Sequence, residues 1–288
     1  MVFWLIFFYA LYKVLSFLWD FVRFKNIKPG SVVLITGGCQ GLGKDLAIKY
    51  ASQKCCIAIW DISTELFDIV KHEIQQVGGS VFICKCDISS DDDVDRAAKE
   101  TLNHFGAVDI VVNNAAISNN RYFEEISMGN FKKIYDINVL GQVRVAKKFV
   151  DCASQFVIIT SVLSKVPAEK ASDYCGTKAA VDLIFRSWRF ELKRKNSQIK
   201  ITMIYPAHMK TRMFEGYLAK NAPFIPSLNT KDVAEEIYNA VCLKKEELYL
   251  PFIFVHVANI GNIFPSKIRD LLMMWISKGA LDNVSPRV

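Results

Sequence analysis

The sequence predicts an α/β protein built on a doubly wound parallel sheet of about seven strands, with helices on both faces. Three observations carry that expectation. From Ser31 onward, short β-branched apolar runs alternate with stretches long enough for a helix, the pattern of successive βαβ units. A glycine-rich turn follows the first run and opens a helical pattern, as a phosphate-binding strand–turn–helix requires. The chain has 288 residues, 51% of them hydrophobic and 23% charged, which supplies a full core and excludes a disordered chain. Fourteen Gly and eight Pro exclude collagen-like and low-complexity classes. The formal charge of +7 suits a membrane surface about as well as a nucleic acid.

The predicted strands, in order, are Val32–Thr36, Cys56–Trp60, Val81–Lys85, Ile110–Asn113, Phe156–Thr160, Ile199–Tyr205 and Leu248–Leu250. One domain over residues 30–250 contains them all, with no repeat and no linker. A sheet of this kind binds ligands beyond the carboxyl ends of its strands, so the residues just after these runs are the site candidates.

Both chain ends are apolar. Residues Val2 to Trp19 carry one charge, Lys13; as a helix they reach about 27 Å, close to a bilayer's hydrocarbon thickness. Lys13, Ser16, Asp20 and Arg23 recur at helical spacing, so residues 1–28 read as a membrane anchor, either spanning or lying in the interface. Arg23, Lys25 and Lys28 follow it, which keeps the rest of the chain on the cytosolic side. Residues 251–288 form an apolar extension. Pro251, Gly261 and Pro265 interrupt it, which argues against one clean spanning helix. Ile268, Leu271, Leu272, Trp275 and Ile276 then recur at helical spacing, as a lid, a dimer face, a second membrane contact or ordinary core would.

The eight cysteines form no CxxC pair and have no histidine at ligand spacing. No metal site is predicted, and a reducing, cytosol-facing compartment fits their place in apolar runs. The basic stretch Arg186, Arg189, Lys193, Arg194, Lys195 and Lys200 lacks groove-reading or aromatic partners, so no nucleic acid is expected. It reads first as a solvated helix end and second as a contact for anionic headgroups. His208 is read as incidental, and Cys175 is assigned no chemistry.

The glycine turn runs Thr36-Gly37-Gly38-Cys39-Gln40-Gly41-Leu42-Gly43. Glycines let the backbone turn tightly and approach a pyrophosphate, and the following helix offers unpaired N–H groups to it. Asp61 ends the second strand, 18 positions after Gly43. A carboxylate there accepts hydrogen bonds from the adenosine ribose and repels a 2′-phosphate, so NAD(H) is expected over NADP(H), with Lys44 able to soften that preference and leave NADP(H) possible. Tyr174 and Lys178 stand four apart in a predicted helix from Ala171 to Lys195, hence on one face. An adjacent ammonium favours tyrosinate, which fits the phenol for proton transfer to a carbinol oxygen. Ser161 ends the preceding strand, thirteen positions earlier, and its hydroxyl is placed to hold the same oxygen.

With these motifs in hand, the sequence resembles the short-chain dehydrogenase/reductase family, whose domain is of Rossmann type. The matches are Thr36-Gly37-x3-Gly41-x-Gly43, Asp87, Asn113-Asn114-Ala115-Ala116, Asn138, Ser161, Tyr174-x3-Lys178, and Pro206 with Thr211. Trp60-Asp61-Ile62 and the apolar N-terminus resemble its membrane-associated retinol and 17β-hydroxysteroid dehydrogenase branch. The resemblance implies that Tyr174 is the general acid/base and that Lys178 holds the nicotinamide ribose and tunes Tyr174. Ser161 would orient the substrate oxygen, and Asn138 would support a water that relays protons from Lys178. Gly37, Gln40, Gly41, Leu42 and Gly43 would hold the phosphates, Asp87 and Ile88 would lie against adenine, and Asn114 and Ala115 would run along the cofactor. Pro206 and Thr211 would contact the nicotinamide end.

The sequence departs from the family in three places. Ala116 and Ala207 stand where the family has glycine, and the 23-residue step from Asn138 to Ser161 is short; each bears on substrate shape. The resulting expectation is an NAD(H)-dependent enzyme that interconverts an alcohol and its carbonyl in a lipophilic substrate such as a retinoid, steroid or long-chain lipid. It would be a homodimer at the endoplasmic reticulum or a lipid droplet, facing the cytosol. The rival readings are an NADPH-dependent ketone reductase of a sphingoid or acyl intermediate and a non-catalytic, membrane-tethered cofactor-binding scaffold.

Overall fold

The computed structural model describes residues 24–216, 227–254, 265–277 and 283–284. Seven strands form one sheet in the order β3-β2-β1-β4-β5-β6-β7, and every pairing is parallel. They are β1 Val32–Thr36, β2 Cys56–Asp61, β3 Ser80–Lys85, β4 Ile110–Asn113, β5 Gln155–Ile159, β6 Lys200–Pro206 and β7 Glu247–Leu250. The expected strands all form, with shifts of one residue at several ends; β2, for example, extends to Asp61. The chain doubles back between β1 and β4, and this reversal opens the crevice in which sheets of this class bind ligands.

The inner strands β1, β2, β4, β5 and β6 are buried on both faces, which explains their near-continuous apolar runs. In β1, Val32 and Leu34 join one core cluster while Val33 and Ile35 join the other, following the two-residue period of a strand. The helices are α1 Gly41–Ser52, α2 Phe67–Gln76, α3 Asp91–Phe105, α4 Met128–Tyr135, α5 Gln142–Phe149, α6 Ser172–Arg194, α7 Thr230–Cys242 and α8 Ser266–Ser277. A π-helical turn, Asp136–Gly141, joins α4 to α5. The short step from Asn138 to Ser161 therefore holds only the end of this turn, the eight-residue α5 and β5.

The buried residues of α6 include Asp173, Tyr174, Thr177, Lys178, Val181, Asp182 and Phe185. Their alternating steps of one and three make a stripe along one face, so the sequence that packs α6 on the sheet also turns Tyr174 and Lys178 inward. Most of the basic stretch on α6 is exposed, and three of its cations also meet carboxylates. Arg189 bonds Glu247 at 2.7 Å, Lys193 bonds Glu246 at 2.5 Å, and Arg186 lies 3.6 Å from Asp182. Asp182 belongs to α6 itself, whereas Glu246 and Glu247 reach the helix because β7 lies beside β6.

The N-terminal segment Val2–Trp19 and the second half of the apolar run ending at Phe264 lie outside the described residues. Among the described residues, no helix is long and apolar enough to cross a membrane. The periodic segment near the C-terminus does form a helix, α8, which exposes Ile268, Leu271, Met274 and Trp275.

Candidate active site

A cavity of about 660 Å³ opens along the carboxyl ends of the strands. Its wall includes Gly37, Gln40, Gly41, Leu42, Asp61, Asp87, Ile88, Asn114, Ala115, Ser161, Tyr174, Lys178, Pro206 and Thr211. Two of the residues expected at the site, Gly43 and Asn138, stand behind it.

The glycine turn is held from the end of β4, the strand that pairs with β1. Asn114 Nδ2 donates to the carbonyls of Thr36 and Gly37, both at 3.0 Å. The backbone N–H groups of Asn114 and Ala115 donate to Thr36 Oγ1, each at 3.1 Å. Gly41 adopts φ +53°, a conformation that disfavours side chains. A Cβ on Gly43 would lie 2.2 Å from the Gly37 carbonyl oxygen and 2.7 Å from Asn114 Nδ2, so Gly43 serves the turn by letting the helix start press against it.

The start of α1 is open to an anion. Its N-cap, Gln40, makes no side-chain capping bond, and its first turn holds no acidic residue, so the positive end of the helix faces the cavity uncompensated. The start of α3 is the opposite: Ser90 caps it at 3.2 Å and Asp91, Asp92 and Asp93 fill its first turn. These residues fit a dinucleotide, with α1 and the glycine turn for the diphosphate.

Asp61 is nearly buried and fixed at the rim. Its Oδ2 accepts from the Cys39 N–H at 3.0 Å and its Oδ1 from the Ser63 N–H at 3.1 Å. Burial and the nearby carboxylate push the Cys39 thiol up to about 12, so it stays neutral. Lys44 pairs with Glu73 at 2.9 Å, which partly neutralises a cation on the helix that follows the turn. Asp87 is oriented by Ser89, whose N–H and Oγ donate to it at 2.9 and 2.6 Å.

Tyr174 and Lys178 share the inner face of α6, with the ammonium nitrogen 5.5 Å from the phenol ring centre. Lys178 is 1% exposed, and its Nζ donates to the Ile159 carbonyl at 2.8 Å. Burial pushes its pKa down to about 7 and pushes the Tyr174 phenol above its ordinary value. The expected lowering of the phenol by its neighbour is therefore opposed here by desolvation, which disfavours charge on both groups. Ser161 Oγ accepts from the Leu163 N–H at 3.1 Å and donates to the Pro206 carbonyl at 3.4 Å.

Asn138, expected to support a relay water, stands behind the cavity wall. Fully buried in the π-helical turn, its Oδ1 accepts from the Ile117 N–H at 2.8 Å. Its Nδ2 donates to the Ile117 carbonyl at 2.9 Å and to Thr177 Oγ1 at 3.2 Å. Its side chain thus fixes Ile117, a wall residue, and the neighbour of Lys178. No local spacing signals this, because the clamp spans 21 positions.

The rest of the wall is mostly apolar and comes from the chain after β5, β6 and β7: Leu163, Val166, Pro167, Met213, Phe214, Phe254 and Met273. Phe214 meets Tyr174 edge-to-face at 5.6 Å. Val284 joins the cluster of buried apolar residues containing Tyr174 and Ile134. Ala116, Ala207 and His208 also line the cavity; burial pushes His208 down from its usual range, so the histidine set aside in the sequence is a neutral wall residue.

The short chain dehydrogenase family model matches residues 31–222. Short-chain dehydrogenase/reductase family 16C member 6 of Bos taurus is 35% identical over 81% of this chain and 76% of its own. Epidermal retinol dehydrogenase 2 of Mus musculus is 30% identical over 88% and 84%. Among solved structures, the alcohol dehydrogenase of Thermococcus sibiricus, complexed with 5-hydroxy-NADP, superposes with a TM-score of 0.68 at 26% identity. It covers 76% of this chain and 95% of that one. The chain belongs to the short-chain dehydrogenase family, oxidoreductases that act on alcohol and carbonyl groups with NAD or NADP.

Proposed function

We propose that the protein interconverts an alcohol and its carbonyl on a lipophilic substrate, with NAD(H) preferred over NADP(H). The observation that carries this reading is that Ser161, Tyr174 and Lys178 line the same cavity as Asp61 and the glycine turn. A bound nicotinamide dinucleotide supplies or accepts the hydride. Tyr174 gives or takes the carbinol proton, Ser161 Oγ holds the reacting oxygen, and Lys178 holds the nicotinamide ribose. Leu42, Asp87, Ile88, Asn114, Ala115, Pro206 and Thr211 shape the remaining cofactor wall, and Asn138 positions it from behind. Buried carboxylate Asp61, held by two N–H donors, favours ribose hydroxyls and disfavours a phosphate beside it.

The apolar wall after β5 to β7 supports a retinoid, steroid or long-chain lipid, and one relative is named a retinol dehydrogenase. Residues 30–250 form the catalytic domain. Residues 1–28 anchor it to the endoplasmic reticulum or a lipid droplet with the domain facing the cytosol. In residues 251–288, Phe254 and Met273 act as a lid, and the exposed apolar side chains of α8 support contact with the same lipid surface. Exposed Leu183 and Phe190 on α6, seven apart, support a homodimer.

The test is turnover of a lipid extract with NAD⁺, read by mass spectrometry, together with rates for NADH and NADPH at equal concentration. The expected result is oxidation of a lipid alcohol and at least a tenfold preference for NADH. A preference for NADPH with ketone reduction would overturn the role of Asp61. Tight NADH binding without any product would leave a scaffold.

A further inference from the structure

One buried carboxylate next to the site takes no part in the chemistry above. Asp182 lies one turn beyond Lys178 on α6 and is 5% exposed. It does not line the cavity. Three groups from three parts of the chain meet it. The Tyr205 hydroxyl, from β6, donates to its Oδ1 at 2.5 Å. The Lys165 ammonium donates to its Oδ2. Arg186, on the next turn of α6, lies 3.6 Å from the same oxygen and is half exposed.

The second and third partners differ in what they hold. Lys165 sits in the middle of the segment from Ser161 to Glu169, which supplies Ser161, Leu163, Val166 and Pro167 to the cavity wall. Its ammonium also lies 5.3 Å over the Tyr205 ring, and that ring stacks on Tyr249 at 4.1 Å. Tyr205 immediately precedes Pro206 and Ala207, two more wall residues. Arg186, half exposed, also lies 3.8 Å from Glu247 and does not belong to the wall segment. The inner side of the same segment is held by apolar packing: Leu163 and Ala168 lie against the cluster that contains Tyr174.

A buried ion pair recovers its desolvation cost only with good geometry and further hydrogen bonds, and it contributes to specificity of arrangement more than to stability. Here the arrangement that it specifies is the distance between the helix carrying Tyr174 and the segment carrying Ser161 and the apolar wall. The geometry points to Asp182 and Lys165 as a latch that sets the position of the Ser161–Glu169 segment over the substrate end and thereby sets substrate affinity. Both are positioning residues, since neither touches the reacting atoms. The inference rests on the proposed alcohol–carbonyl function for the identity of the substrate, but not for the latch itself.

The test compares the full chain with its Lys165→Met, Lys165→Arg and Asp182→Asn variants. The readouts are KM and kcat for all-trans-retinol and for a steroid alcohol with NAD⁺, NADH affinity by fluorescence, and hydrogen–deuterium exchange of residues 161–169. Lys165→Met and Asp182→Asn should raise KM about tenfold, leave kcat within threefold and leave NADH affinity within twofold. Lys165→Arg should restore KM to within threefold of the parent. Exchange over residues 161–169 should quicken in Lys165→Met and not in Lys165→Arg. Unchanged KM with a lowered melting temperature would reduce the pair to a structural contact and overturn the inference. Should the parent turn over neither alcohol while binding NADH, the functional reading fails alone, and the exchange comparison still decides the latch: equal exchange in all variants would refute it.

Discussion

The two halves of the cavity are built by different means. Around β1 to β4 the wall combines backbone and short polar side chains with a few apolar ones such as Leu42 and Ile88, and hydrogen bonds among Asn114, Thr36, Asp61 and the backbone lock it. Beyond β5 to β7 it is apolar side chains, carried by segments that reach the site from far along the chain, down to Met273. The first half is matched to a ligand of fixed shape and charge, and preorganised dipoles cost nothing to reorient on binding. The second half is matched to apolar surface, which is non-directional, so different side chains serve equally well there. A substitution in one half should therefore leave the other half's ligand nearly untouched, and that separation can be broken experimentally.

The largest effect on binding should come from Gly43→Ala. Its Cβ would press on the Gly37 carbonyl, so the turn must shift. We expect NADH affinity to fall about a hundredfold, roughly 2.7 kcal/mol, in a chain whose circular dichroism is unchanged; retained affinity would show that the turn is plastic. Phe214→Ala is the counterpart in the apolar half. Losing its edge-to-face contact with Tyr174, worth about 0.5–1.5 kcal/mol beyond area, should raise KM for a lipophilic alcohol severalfold to tenfold with NADH affinity within twofold. Equal losses in both constants would mean the halves are coupled.

The smallest effect sharpens the comparison where the halves meet. Burial holds the folded Lys178 near 7, well below its unfolded value near 10.4. Between these values the unfolded chain binds the extra proton, so stability rises with pH. The cost of burying Lys178 is fully present below about pH 7 and fades upward. Tyr174, raised by burial, works the other way, but only once the unfolded phenol ionises near pH 10. Across pH 7 to 9, thermal unfolding of the parent without cofactor should shift upward relative to Lys178→Met, by at most roughly 1.4 kcal/mol per unit. Parallel pH curves would place a charged Lys178 in the folded state.

The same division explains what the sequence could reveal. The strands were legible because a sheet buried on both faces needs unbroken runs such as Val32–Thr36. The glycine turn, Asp61 and the Tyr174–Lys178 pair were legible because each rests on local spacing and on one strand end. Fourteen of the sixteen expected residues line the cavity, and the two that stand behind it, Gly43 and Asn138, do so for a shared reason. Their partners, Gly37 with Asn114 and Ile117 with Thr177, are set by how loops fold over one another. The apolar half was illegible for that reason throughout. Nothing local places Phe254 or Met273 on the cavity wall or Val284 in the cluster of Tyr174, and nothing in the basic stretch of α6 announces Glu246 and Glu247 beside it. Local spacing also missed the burial that opposes ionisation of Tyr174, since desolvation depends on the whole surrounding core.

The central claim is that Tyr174 carries the proton while the rest of the cavity binds. The most direct measurement is single-turnover oxidation of a lipid alcohol by Tyr174→Phe, with NADH affinity determined on the same preparation. The account predicts a rate lowered about 10²- to 10⁴-fold with NADH affinity within twofold of the parent. A variant that binds NADH and turns over at the parental rate would contradict it.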